Sequence, residues 1–243
     1  CLSVYGIARE VGSILSQKIK PLTFEREPED SEELDRLIDL EILNLDACPR
    51  YVLKMIMGIS INRSPFWMRS RISKCGMRPI NSIVDVTNYV MLELGQPLHA
   101  FDYEMLRGNR IIVKLADSKI IFKTLDGEDR KLGPDDLMIC DASGPVAIAG
   151  IMGGENSEIT DATKNVALES AFFNPLFIRK TARKLGIKSE ASLRFEKGID
   201  IDSVHFAARR AIYLMNSISG GKVVKGKKEI YEKKELKRVF INF

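Results

Sequence analysis

Between Arg110 and Ile151 the chain is a succession of short, β-branched runs cut by turn dipeptides. "RIIVKLA", "KIIFKTLDGE" and "DLMICDASGPVAIAGI" are separated or interrupted by Asp-Gly, Ser-Gly and Gly-Pro signals. Runs of this kind need partners for their backbone N–H and C=O groups, so this stretch predicts sheet. Apolar residues at helical spacing lie on both sides of it. The expected class is therefore α+β: mixed β-sheets with packed helices, in two intertwined subdomains that form one module.

The flanks can be read element by element. Residues Ser3 to Ile19 place Val4, Ile7, Ala8, Val11, Ile14 and Leu15 three and four apart, an amphipathic helix. "EREPEDSEELDRL" reads as a solvated acidic connector, and Asp39 to Ile61 as two strands hinged at Cys48-Pro49. Ser64 is expected to cap a helix that has Pro65 in its first turn and Gly76 as its stop. Asn81 caps a second helix with the stripe Ile83, Val86, Val90 and Leu94, ended by Gly95 and delivering a Gln96-Pro97-Leu98-His99 turn. "NVALESAFF" is a further strand; helices are expected at Asn174 to Leu185 and roughly Asp202 to Ser217, then a closing strand near Lys222 to Tyr231. The expected division is 1–62 (helix, acidic connector, strand pair), 63–225 (core) and a basic tail at 226–243. Starting at Cys1 and ending on the strand-like "KRVFINF", the chain reads as a piece of a longer protein.

Composition narrows the function classes. With 45% hydrophobic and 29% charged residues, no apolar run of the roughly 18 to 20 residues a membrane span needs and no signal-peptide pattern, a cytoplasmic location is expected. Cys1, Cys48, Cys75 and Cys140 show no CxxC spacing, which argues against a zinc site or a disulfide framework and for buried thiols. A net charge of +4 permits nucleic acid without indicating it. The basic excess is local, in "IRKTARKLGIKSEASLRFEK" and "KVVKGKKEIYEKKELKR", and reads either as a phosphate-facing patch or as a solvated helix face and a lysine-rich tail.

Several residues are candidates for chemistry. Gly150, Gly153 and Gly154 follow a strand and can let a ligand approach the backbone, but they lack the GxGxxG and GK[ST] patterns and alone read as a tight turn. Glu169 lies among apolar neighbours, so it either points to solvent or lines a polar pocket. His99 alone reads more readily as a structural histidine than as a catalytic one, and His205 as part of a helix surface or core. With no HExxH, no GxSxG and no recognisable Cys–His signature, any catalysis here leans on positioning rather than on an activated side-chain nucleophile.

"CPRY", "SPFWMRSRISKCGMRPINSIVDVTNYVMLELGQPLHAFD", "AGIMGGENSEIT", "LESAFFNP" and "SEASLRFEKGID" occur in the order and spacing of the central B3/B4 module of bacterial phenylalanyl-tRNA synthetase beta subunits, and the chain resembles that family over about residues 1 to 225. The resemblance implies a module that hydrolyses tyrosine wrongly esterified to tRNA(Phe). By it, His99 is the imidazole near the terminal adenosine and the ester, and Glu169 the carboxylate that reads the tyrosine hydroxyl. Thr87, Asn88 and Gly153 line the pocket, and Ser189 and Ala191 form its opposite wall. Ser189 stands where many members carry threonine, and Leu193 where a polar or aromatic residue is common. Arg194 and Lys197 resemble a structural and electrostatic rim.

For the full synthetase the family implies ATP, Mg²⁺ and an alpha subunit in an α2β2 assembly. For this chain it implies no cofactor and no metal, contact with the acceptor end of tRNA(Phe), and no DNA or membrane partner. An editing hydrolase is one reading, and a non-catalytic structural and tRNA-docking module is the other.

Overall fold

In the computed structural model, which describes residues 1–25 and 29–233, helix boundaries follow local capping chemistry. Helix α1 (Val4–Ile14) starts where the Ser3 hydroxyl accepts from Gly6 N, and stops short of the expected Ile19. The acidic connector is not merely solvated: it contains strand β1 (Glu29–Glu33) and a 3₁₀ turn whose Leu34 is buried. Strands β2 (Asp39–Ile42) and β3 (Arg50–Met57) flank Cys48-Pro49 as expected but enter different sheets. Helix α2 (Phe66–Lys74) has Pro65, not Ser64, at its N-cap; the Ser64 hydroxyl donates instead to Asp85, 2.6 Å away.

Helix α3 (Ser82–Leu94) is capped by the Asn81 side chain and closed by Gly95 at φ 82°. The Gln96-Pro97 turn then leads at once into β4 (Leu98–Asp102), so His99 is a strand residue rather than a turn residue. The middle supplies β5 (Arg110–Leu115), β6 (Ile120–Lys123), β7 (Asp129–Leu132), β8 (Leu137–Cys140), β9 (Pro145–Ile148), β10 (Met152–Gly153) and β11 (Val166–Phe172). Helix α4 (Pro175–Leu185) is capped by Asn174. Helix α5 (Glu190–Lys197), which the sequence reading did not anticipate, precedes α6 (Ser203–Ser219), and the closing segment is two strands, β12 (Lys222–Lys225) and β13 (Lys228–Tyr231). The expected strand-like "KRVFINF" lies outside the described residues.

One sheet runs β1-β12-β3-β11-β4, with β13 also paired to β3; it therefore joins strands from near both ends of the described chain. A second runs β10-β9-β8-β5-β2, and β6-β7 forms a ribbon. Side chains of a strand alternate between faces. On one face of the first sheet, Ile56, Val166 and Leu168 pack with Ile83, Val86 and Val90 of α3 and Ala207, Ala211 and Met215 of α6. On the other, Tyr51, Leu53, Phe101, Ala167 and Ala171 pack against Ile111, Val113, Ile139, Val146 and Ile148 of the second sheet. Strand β11 is covered on both faces, which leaves Glu169 no solvent side to occupy.

Candidate active site

Strand alternation places Glu169 with Ala167 and Ala171, facing the second sheet, and leaves it 5% exposed. Its backbone neighbours are Leu53 on β3 and His99 on β4. The Tyr51 hydroxyl donates to Glu169 Oε2 at 2.6 Å, and Oε1 accepts no hydrogen bond from a described residue. Burial raises the Glu169 carboxyl to about 8, and the Tyr51 hydrogen bond only partly opposes it. At neutral pH the group is mostly a carboxylic acid, able to donate as well as accept.

His99, half-buried, sits edge-on to Phe101 with ring centroids 4.5 Å apart. Burial lowers it to about 4, so the imidazole is neutral at pH 7. Its ring nitrogens make no hydrogen bond to any described residue. Gly153 lies close against this ring. A Cβ at Gly153 would lie 2.6 Å from His99 Cε1, so only glycine lets strand β10 approach so closely.

These residues surround a cavity of about 60 Å³, lined among others by His99, Gly150, Gly153, Glu169, Ala191 and Phe195. That volume admits water but is well below the roughly 300 to 1,000 Å³ of typical ligand pockets. An amino-acid side chain the size of tyrosine can enter only if the lining moves, and among the described residues the His99 side chain is held by packing without a hydrogen bond. A larger hollow of about 450 Å³, bordered by Phe24, His205 and Arg209, contains none of the expected site residues.

The B3/4 domain model matches residues 47–220, most of the chain. The chain belongs to the B3/4 domain family. It is 47% identical over 235 residues to a phenylalanine–tRNA ligase beta subunit of Moorella thermoacetica, covering 96% of this chain and 29% of that protein. It is 43% identical over 223 residues to the corresponding subunit of Protochlamydia amoebophila, covering 91% and 28%. The chain thus spans under a third of the curated relatives it matches. Its fold is similar to that of an N-terminal fragment of the phenylalanyl-tRNA synthetase beta subunit from Pyrococcus horikoshii, with a TM-score of 0.52 at 14% identity, covering 95% of this chain and 62% of that one.

In this B3/4 domain the expected site residues divide. His99, Gly153, Glu169 and Ala191 meet at the cavity. Ser189 stands beside it: it caps α5 by accepting from Ser192 N, and its hydroxyl donates to Ile151 O at 2.8 Å, tying the helix that carries Ala191 to the glycine loop. Thr87 and Asn88 are on α3 and do not line the cavity; the Thr87 hydroxyl donates to Val84 O. Arg194 is buried and bonds Glu190 and the Leu2 carbonyl, a structural role, whereas Lys197 is exposed.

Sequence reasoning missed Tyr51 as a site residue, although it ends the quoted "CPRY" motif. The available signal was that a carboxyl inside an apolar strand needs a donor. Among the described residues no group of His, Cys, Asp and Glu is placed to hold a metal ion, and no helix is long and apolar enough to cross a membrane.

Proposed function

We propose that this B3/4 domain hydrolyses tyrosine esterified to tRNA(Phe). The observation that carries the reading is a buried carboxyl, one oxygen tethered by Tyr51 and the other unbonded among the described residues, beside a neutral imidazole on the adjacent strand, both lining a cavity that Gly150 and Gly153 also line. An apolar pocket rejects an added hydroxyl by only about 100-fold, so an enzyme that selects phenylalanine needs a second, hydroxyl-reading site. Oε1 of Glu169, which accepts from no described residue, supports that reading. Phenylalanine would leave it unpaired, at a cost of about 1 to 3 kcal/mol.

An aminoacyl ester is already activated, so hydrolysis depends on holding the ester and a water in line. His99, neutral and unbonded, can hold either through a ring nitrogen; its lowered proton affinity makes it a poor general base. Thr87, Asn88 and Ser189 enter this reading as flanking positions. ATP and Mg²⁺, implied for a full phenylalanine–tRNA ligase with its alpha subunit, have no fitting site here, because the cavity lining offers one carboxyl and no cation. No step is assigned to them.

A surface favours the docking reading as well. Arg63, Arg69, Lys74 and Arg78, around α2, make no ion pair with any described residue, and Phe66 beside them is 76% exposed. Cations interleaved with an open aromatic suit an RNA backbone and its bases. Single-turnover deacylation of Tyr-tRNA(Phe) and Phe-tRNA(Phe) by the 243-residue protein separates the two readings. Editing requires faster release of tyrosine than of phenylalanine, with Glu169→Ala losing that preference and His99→Ala slowing release by about 100-fold or less. RNA binding without release leaves only the docking role.

A further inference from the structure

Tyr51 is fully buried, and no expected role accounts for its hydroxyl. Glu169 is paired with Leu53, so Tyr51 lies two residues along β3 on the same face, a diagonal cross-strand neighbour of the carboxylate. Its ring lies near edge-on to Phe173 (centroids 6.4 Å), and Phe173 meets Phe195 (5.1 Å), a residue of the cavity wall. That aromatic chain clamps the tyrosine ring, so its hydroxyl has one place to go. Without it the Glu169 carboxyl would be free to turn, since its terminal torsion is broad and roughly two-fold.

We propose that Tyr51 is the positioning residue for substrate discrimination: its hydroxyl pins Glu169 Oε2 so that Oε1 alone is presented to a substrate hydroxyl. The inference rests on the editing reading above. Among the described residues, the other titratable groups near Glu169 are Cys48, two residues before β3, and His99, on β4; the wall from the second sheet, with Ile139, Ala147 and Ile148, is apolar. No cation of the lining can substitute for the tyrosine as a donor. Burial and the neighbouring carboxyl push the Tyr51 phenol well above its usual range, so it remains a donor throughout the working pH range.

Tyr51→Phe removes one oxygen and keeps the ring. The Tyr-over-Phe ratio of kcat/KM in deacylation is expected to fall about ten-fold, with the rate on Phe-tRNA(Phe) little changed, and the Glu169 midpoint, followed by the carboxyl carbon resonance, to move further above 8. Replacing Tyr51 by 3-fluorotyrosine, which strengthens the donor without altering the fold, should move that midpoint down. An unchanged ratio in Tyr51→Phe, with an active wild type, overturns the inference. If the wild type releases neither amino acid, the editing reading fails by itself. The carboxyl titration then still decides whether Tyr51 holds Glu169: a midpoint unmoved by either replacement shows that it does not.

Discussion

Glu169 and Asp136 both carry buried carboxyl groups, yet they are treated differently. Asp136, 1% exposed, accepts from Gly133 N at 2.8 Å, from the Thr181 hydroxyl at 2.8 Å and from Lys184, and so fastens α4 to the loop before β8. Among the described residues, Glu169 accepts only from Tyr51. Saturating every acceptor of a carboxylate makes a joint. Leaving one open beside a cavity keeps a group in reserve for a ligand, with its charge suppressed rather than paired.

The contrast is sharpest in stability. Asp136→Ala leaves the Thr181 hydroxyl and the Gly133 N–H buried without a partner, and should destabilise by about 2 to 4 kcal/mol in urea unfolding. Glu169→Gln keeps the shape and the acceptor for Tyr51 and removes the cost of holding a carboxyl neutral, so at pH 7 it should not destabilise. Equal losses in the two variants would end the distinction.

The pH dependence gives the next largest effect. Glu169, raised from 4.5 to about 8, holds a proton in the folded state that the unfolded chain has released, so stability falls as pH rises through that interval. His99, lowered from 6.5 to about 4, does the reverse: the unfolded chain binds the extra proton, and stability falls as pH drops through its interval. The two slopes cancel between about 4.5 and 6.5, leaving a net loss of about 2 kcal/mol from pH 6.5 to 8. Glu169→Gln should abolish that loss and expose the acid-side slope of His99. A flat wild-type curve from pH 6.5 to 8 would show that Glu169 is ionised at neutrality.

The smallest change in stability should accompany a large change in function. Gly153→Ala puts a Cβ against the unbonded His99 ring, which can shift, so about 1 kcal/mol or less of stability is at stake. Displacing that ring should slow Tyr-tRNA(Phe) release by ten-fold or more. A variant with wild-type release would mean that the ring position is immaterial.

Most of the helices could be placed from sequence because their signals are local. Asn81 accepts from amides two and three residues ahead, Gly95 and Gly186 take left-handed conformations, and Asn174-Pro175 opens α4. Helix α5 carried a comparable signal, the Ser189–Ser192 reciprocal cap, but with serine where Glu or Gln usually marks the pattern. Strand β1 carried none: "EDSEE" is strand only because β12, nearly 200 residues later, offers it an edge.

The candidate site divides the same way. Residue types alone singled out His99, Gly153 and Glu169 as unusual in their settings, and the motif order named their family. Which face of β11 turns inward, that His99 stands opposite Glu169 on β4, and that Tyr51 from 118 positions earlier supplies the donor were decided by strand register and sheet stacking. A one-residue slip in pairing sends a side chain to the other face. That choice is made by the packing of both layers together, and no single segment of the sequence contains it.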